Sequence, residues 1–166
     1  MRPKLRLVCT NAPPFVQTCR LVPLTAELLA IAMAASGDGA LVEHAQRPEV
    51  LRQVLAPGLS FAVLDGGILA VAYGIFPVVY GRAHGWMTRT PLATRRHLAY
   101  AVRQAADHLA IWNAQEPYRR IEIQIQDGQP WRESFAKRLG MNECLGPARK
   151  WDHLGRDYWL YARIAP

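Results

Sequence analysis

Arg89, Arg95 and Arg96 fall close together, directly after Trp86-Met87-Thr88. Guanidinium groups grip phosphate and carboxylate bidentately, so such a cluster suits anion recognition. The sequence places these arginines in the first turns of a helix, where positive charge opposes the helix dipole unless an anion answers it. A bound phosphate would supply that answer; solvated side chains or an acidic partner surface would account for the same residues. Other chemistry finds less support. Cys9, Cys19 and Cys144 are odd in number, form no Cys-x-x-Cys, and have no His at metal-ligand spacing, so neither a disulfide framework nor a metal site is expected. No Gly-x-Ser-x-Gly elbow or clustered triad spacing surrounds Ser60 or Ser134. Trp151, Tyr158, Trp159 and Tyr161 lie among Arg149, Lys150, Arg156 and Arg163, a pattern that fits a stacking surface for nucleic acid or an alternation of core and rim residues.

The elements that must position these residues can be read in order. Leu5 to Cys9 reads as a first strand ended by Pro13-Pro14, because proline removes a ladder donor. Thr25 caps a helix over Ala26 to Ala35, apolar nearly all round and therefore expected to be covered on both sides, and Ser36-Gly37-Asp38-Gly39 stops it. Pro48 to Leu55 forms a second helix with proline at its start and Pro57-Gly58 after its end. Ser60 to Leu64 and Ile68 to Phe76 flank Asp65-Gly66-Gly67, a tight-turn signal, and both arms are apolar on both faces, as in strands sandwiched between helices. Ala83 to Thr88 extends the meander.

Thr90 as cap and Pro91 at the first helical position predict the start of the longest helix. Leu98, Ala101, Ala105, Leu109 and Trp112 make its buried stripe. Tyr118 to Gln126 alternates as a strand, with Ile121, Ile123 and Ile125 on one side. Gln129 to Leu139 reads as a helix closed by Gly140, followed by strands at Met141 to Leu145 and Tyr158 to Ile164.

Composition sets the frame. A chain of 166 residues, 51% apolar and 20% charged, is expected to be a single domain over 1–166 with its own core, which excludes disordered, collagen-like and coiled-coil classes. The net charge of +7 is carried by seventeen arginines against three lysines, a total that a GC-rich coding composition explains without a partner. The longest apolar run, Leu28 to Ala35, is far below the roughly 20 residues of a membrane span, and Glu27 and the prolines break any signal-peptide pattern, so a cytoplasmic protein is expected.

Strand, helix, helix, three-strand meander, long helix, strand, helix, strand, strand is an order that resembles the GNAT acetyltransferase superfamily. The resemblance spans nearly the whole chain. It is sharpest at Gly85-Trp86-Met87-Thr88 before the long helix, at Phe135-Ala136-Lys137-Arg138-Leu139-Gly140-Met141 where the superfamily has its Leu-Gly-Phe turn, and at Gly155 to Arg163 in the closing strand. Within the superfamily the chain is most similar to the small GNAT-like proteins of phage and prophage structural modules, including the internal virion proteins of short-tailed phages. The resemblance implies an α/β (α+β) fold: a mixed, mostly antiparallel sheet of about six to seven strands flanked by about four helices.

It also implies acetyl-CoA in a V between the fourth and fifth strands, its pyrophosphate on main-chain N–H groups at the mouth of the long helix. In that case Trp86, Met87 and Thr88 would meet the pantetheine arm, and Arg89, Thr94, Arg95 and Arg96 the pyrophosphate. The superfamily fingerprint Gln/Arg-x-x-Gly-x-Gly/Ala is replaced here by Arg89-Thr90-Pro91-Leu92-Ala93-Thr94, without either glycine and with a proline that deletes a donor. The position of the superfamily's general-acid tyrosine is Ala136; Phe135 beside it has no proton to give, and Ser134 is the remaining substitute. Glu122 and His84 are the base candidates. Each also reads as an ordinary strand residue.

Three functions follow as expectations. The first is a non-catalytic virion component or assembly protein whose partners are other virion proteins or a second copy of itself, virion-associated after assembly and with no cofactor. The second is an acetyl-CoA-dependent N-acetyltransferase. The third is a basic nucleic-acid binder.

Overall fold

A computed structural model describes residues 19–36, 47–115, 118–128, 130–149 and 154–164. Seven strands form one sheet in the order β1-β2-β3-β4-β5-β7-β6, where β1 is Cys19–Pro23, β2 Ser60–Asp65, β3 Ile68–Val79, β4 Arg82–Arg89, β5 Arg120–Gln126, β6 Glu143–Ala148 and β7 Tyr158–Ile164. Four helices lie among the described residues: α1 Ala26–Ser36, α2 Pro48–Val54, α3 Arg95–Asn113 and α4 Pro130–Arg138. Every strand pair is antiparallel except β4 with β5. The expected architecture is therefore present.

The sheet separates two apolar layers. On one face Val71, Tyr73, Ile75, Ala83 and Ile121 pack with Ala101, Ala105, Leu109 and Trp112 of α3 and Ala136 of α4. On the other, Ala62, Leu64, Ala72 and Phe76 pack with Leu29 and Ala32 of α1 and Val54 of α2. Strands covered on both faces need apolar residues at successive positions, which is why the run from Leu69 to Phe76 is buried throughout.

Several boundaries differ from the sequence reading for physical reasons. Cys19–Pro23 forms the edge strand β1, paired with β2; its brevity and terminal proline hid it. The strand predicted at Leu5 to Cys9 lies outside the described residues. α1 is not covered on both sides among the described residues: Leu29 and Ala32 are buried, but Ile31 is 51% exposed. The outward positions Ala30 and Ala34 are exposed too, and alanine earns its place on an open face through helix propensity.

The largest correction concerns α3, which begins at Arg95 with Thr94 as its cap. Thr90 instead donates its hydroxyl to the Leu69 carbonyl at 2.9 Å, and its N–H goes to the Ala70 carbonyl at 2.9 Å. The Thr90 cap signal thus serves β3, and Pro91 sits in a loop before the helix. The stripe on α3 is otherwise as expected, with Leu98 half-buried and Ala101, Ala105, Leu109 and Trp112 buried. The helix before Gly140 closes as expected, since Gly140 has φ of 75°.

Candidate functional site: the cleft between β4 and β5

β4 and β5 run parallel from Arg82 opposite Arg120 to Gly85 opposite Ile123, and there the pairing stops. Beyond that point β4 stays bonded to β3 through Arg89, while β5 stays bonded to β7 through Gln126. Two strands held by opposite neighbours must diverge, and a wedge opens between them. Gly85 marks the vertex: a Cβ there would stand 2.9 Å from Cγ2 of Ile123, so only glycine lets the strands meet before they part.

Trp86, Met87, Thr88 and Arg89 line one wall of the resulting cleft and Ile123, Gln124 and Ile125 the other. Leu98 of α3, Arg132 and Phe135 of α4, and Leu139 just after α4 line it as well. The lining is mainly apolar with a few polar groups, the composition of a small-ligand site. The Nε1 of Trp86 is buried and has no hydrogen-bond partner among the described residues. An indole N–H left in that state costs stability unless something accepts from it, and the cleft it lines is where an acceptor could enter.

The mouth of α3 lies beside this cleft. His97 is buried, and its Nδ1 accepts the main-chain N–H of Thr94 at 3.0 Å. Nδ1 therefore carries no hydrogen, and Nε2 donates to Oδ2 of Asp65 at 3.0 Å. One of the donors expected to meet an anion is thus already paired within the protein. Arg95 and Arg96 are exposed, and the first turn of α3 contains no acid.

The sequence-derived site residues divide accordingly. Trp86, Met87, Thr88 and Arg89 line the cleft, whereas Thr94, Arg95 and Arg96 lie outside its lining, at the helix mouth. Glu122 and Ser134 do not line it either. Arg120 Nε stands 2.6 Å from Oε1 of Glu122, and Arg82 Nε 4.0 Å from Oε2. Ser134 is exposed on α4, and Ala136 is fully buried against the core. His84 does line the cleft, with its ring 5.3 Å from that of Phe76. Of the aromatic residues considered for a stacking surface, Tyr158 and Tyr161 are buried, and Trp151 lies outside the described residues.

Gln124 and Arg132, which line the cleft, were not anticipated. Alternation along β5 puts Gln124 in phase with Glu122, but where the wedge opens depends on pairing registers that no local pattern encodes.

Compared with known proteins, the chain matches no protein-family model and no curated protein sequence. Its fold matches solved structures closely. An acetyltransferase of the GNAT family from Bacillus anthracis superposes with a TM-score of 0.63 at 15% identity, covering 89% of this chain and 95% of that one. The ribosomal-protein-S18-alanine N-acetyltransferase from Escherichia coli gives 0.62 at 15% identity, covering 89% and 94%. Ard1 from Thermoplasma volcanium gives 0.68 at 10% identity, covering 90% and 99%. At these identities the likeness concerns the fold alone: the chain has the GNAT fold.

Proposed function

We propose that this GNAT-fold protein works by contact rather than by acetyl transfer, as a virion component or assembly protein of phage or prophage type. The observation that carries the reading is Ala136, fully buried at the position where the superfamily resemblance puts the general acid. Two others support it. The carboxylate of Glu122 is engaged by Arg120 and Arg82, and the Thr94 N–H is engaged by His97. The phage assignment, the virion proteins or second copy as partners and the location in a particle are supported by the sequence resemblance of Trp86 at the end of the fourth strand and of the Leu139-Gly140 turn after the helix. The test has two arms. Acetyl-CoA is expected to leave the melting temperature unchanged and to release no CoA thiol with a panel of amines, and density-purified particles are expected to contain the chain by mass spectrometry. Amine-dependent thiol release, or particles lacking the chain, would overturn the proposal.

A second reading, an active N-acetyltransferase, is favoured by Trp86, which lines the cleft and whose buried Nε1 has no hydrogen-bond partner among the described residues. In it the indole donates to a thioester carbonyl, His84 takes the amine proton, and acetyl-CoA raises the melting temperature because it binds only the folded chain. Replacing Arg95 and Arg96 together with Ala then abolishes the stabilisation if the pyrophosphate sits at the mouth of α3. Stabilisation that survives would move the phosphate site elsewhere.

A further inference from the structure

Outside the lining of the cleft, three side chains converge at the edge of the sheet, and one of them, His97, also holds the Thr94 N–H. Cys19 opens β1, Asp65 closes β2, and the two are cross-strand partners. His97 reaches them from the first turn of α3, with Nε2 3.0 Å from Asp65 Oδ2. One ligand atom from each residue lies within 4.8 Å of the other two. Ligands about 2.0 to 2.3 Å from a tetrahedral ion stand roughly 3 to 4 Å from each other, so small side-chain movements would close this triangle on a metal.

We propose that Cys19, Asp65 and His97 form a site for Zn2+ that takes three ligands from the described residues. Thiolate, imidazole and carboxylate together suit a borderline-soft ion, and hard cations such as Mg2+ or Ca2+ would select an all-oxygen set. The same three residue types could suggest a nucleophilic cysteine with a His-Asp relay. His97 is not placed as the base of such a relay: its Nδ1 accepts from the Thr94 N–H and its Nε2 donates to Asp65.

The protons balance as follows. Cys19 loses its thiol proton on binding. His97 gives its ring hydrogen from Nε2 to Nδ1, where the Thr94 hydroxyl oxygen, 3.2 Å away, can accept it. One proton leaves per ion bound, and the Thr94 N–H is released from the ring. The ion would join β1, β2 and α3 at one point.

The experiment uses the full chain stripped of metal with a chelator. One equivalent of Zn2+ is expected to raise the melting temperature, and Co2+ to produce a near-ultraviolet thiolate-to-cobalt band that vanishes in Cys19→Ser and persists in Cys144→Ser. Without any variant, Zn2+ is expected to slow iodoacetamide alkylation of Cys19, mapped by mass spectrometry, and to leave that of the exposed Cys144 unchanged. Failure to bind Zn2+ stoichiometrically, a cobalt band that survives Cys19→Ser, or alkylation of Cys19 at equal rates with and without Zn2+ would each overturn the assignment. If Cys19→Ser does not fold, the alkylation comparison on the unaltered chain decides.

Discussion

Arg120 Nε lies 2.6 Å from the Oε1 of Glu122, two residues further along the same strand. The guanidinium holds the one carboxylate that the sequence offered as a base on β5, and it makes Glu122 part of the structure. Glu122→Gln is therefore expected to destabilise the fold by about 1 kcal/mol or less, since both partners keep some contact with water. Urea midpoints at low and high salt check this, with a smaller difference at high salt. An unchanged midpoint at low salt would free Glu122 for another role.

Trp112 is 4% exposed and its indole N–H donates to the Gly58 carbonyl at 3.0 Å. Truncation removes a large apolar volume and leaves that carbonyl without its donor, so Trp112→Ala is expected to cost about 3 to 5 kcal/mol. Trp112→Phe keeps most of the packing and is expected to cost less. Denaturant unfolding of both variants separates the two contributions.

Gly74 faces the chain at Leu59 and Ser60 so closely that a Cβ would stand 2.6 Å from the Leu59 carbonyl oxygen and 2.1 Å from the Ser60 hydroxyl. A carbonyl in the main chain cannot rotate away as a side chain can. Gly74→Ala is expected to cost about 1 to 3 kcal/mol or more, and Ser60→Gly is not expected to rescue it. Recovery in the double variant would show that the Ser60 side chain sets the limit.

His108 stacks on Phe61 at 4.0 Å between ring centres, and its Nδ1 is hydrogen-bonded to the Tyr73 hydroxyl at 3.0 Å. Burial lowers its pKa below the ordinary 6.5 and outweighs the opposing pull of Asp107, and burial also holds the Tyr73 hydroxyl protonated well above its usual range. The unfolded chain thus takes up a proton at His108 before the folded chain does. Stability should fall as pH drops through 6.5 toward the lowered folded-state value. His108→Gln is expected to flatten that part of the profile, measured as unfolding free energy between about pH 7 and pH 5. An unaltered slope would assign it to other groups.

Much of this fold was legible in the chain. The turn at Asp65-Gly66-Gly67, the doubly apolar arms around it and the spacing of Ala101, Ala105, Leu109 and Trp112 each state a local preference that the packing confirms. The start of α3 was misread because Thr90-Pro91 and Thr94-Arg95 are both acceptable helix beginnings. What decides between them is the bond from Thr90 to Leu69, made across a separation of 21 residues. The site was less legible for the same reason. Trp86 to Thr88 could be placed on a strand, whereas Arg89, expected in the first turns of the helix, ends β4 instead, and the wedge beside them comes from β4 and β5 each following its outer neighbour. Cys19, Asp65 and His97 are far apart in sequence and carry no ligand spacing at all.

The last strand in the sheet, β6, slips register between Cys144 and Gly146 and then carries Pro147. A slipped ribbon whose proline has no hydrogen to offer is a poor template for another chain. If copies of this protein join at that border, they must do so through interlocking side chains, which limits an assembly to defined contacts and guards against runaway fibre growth.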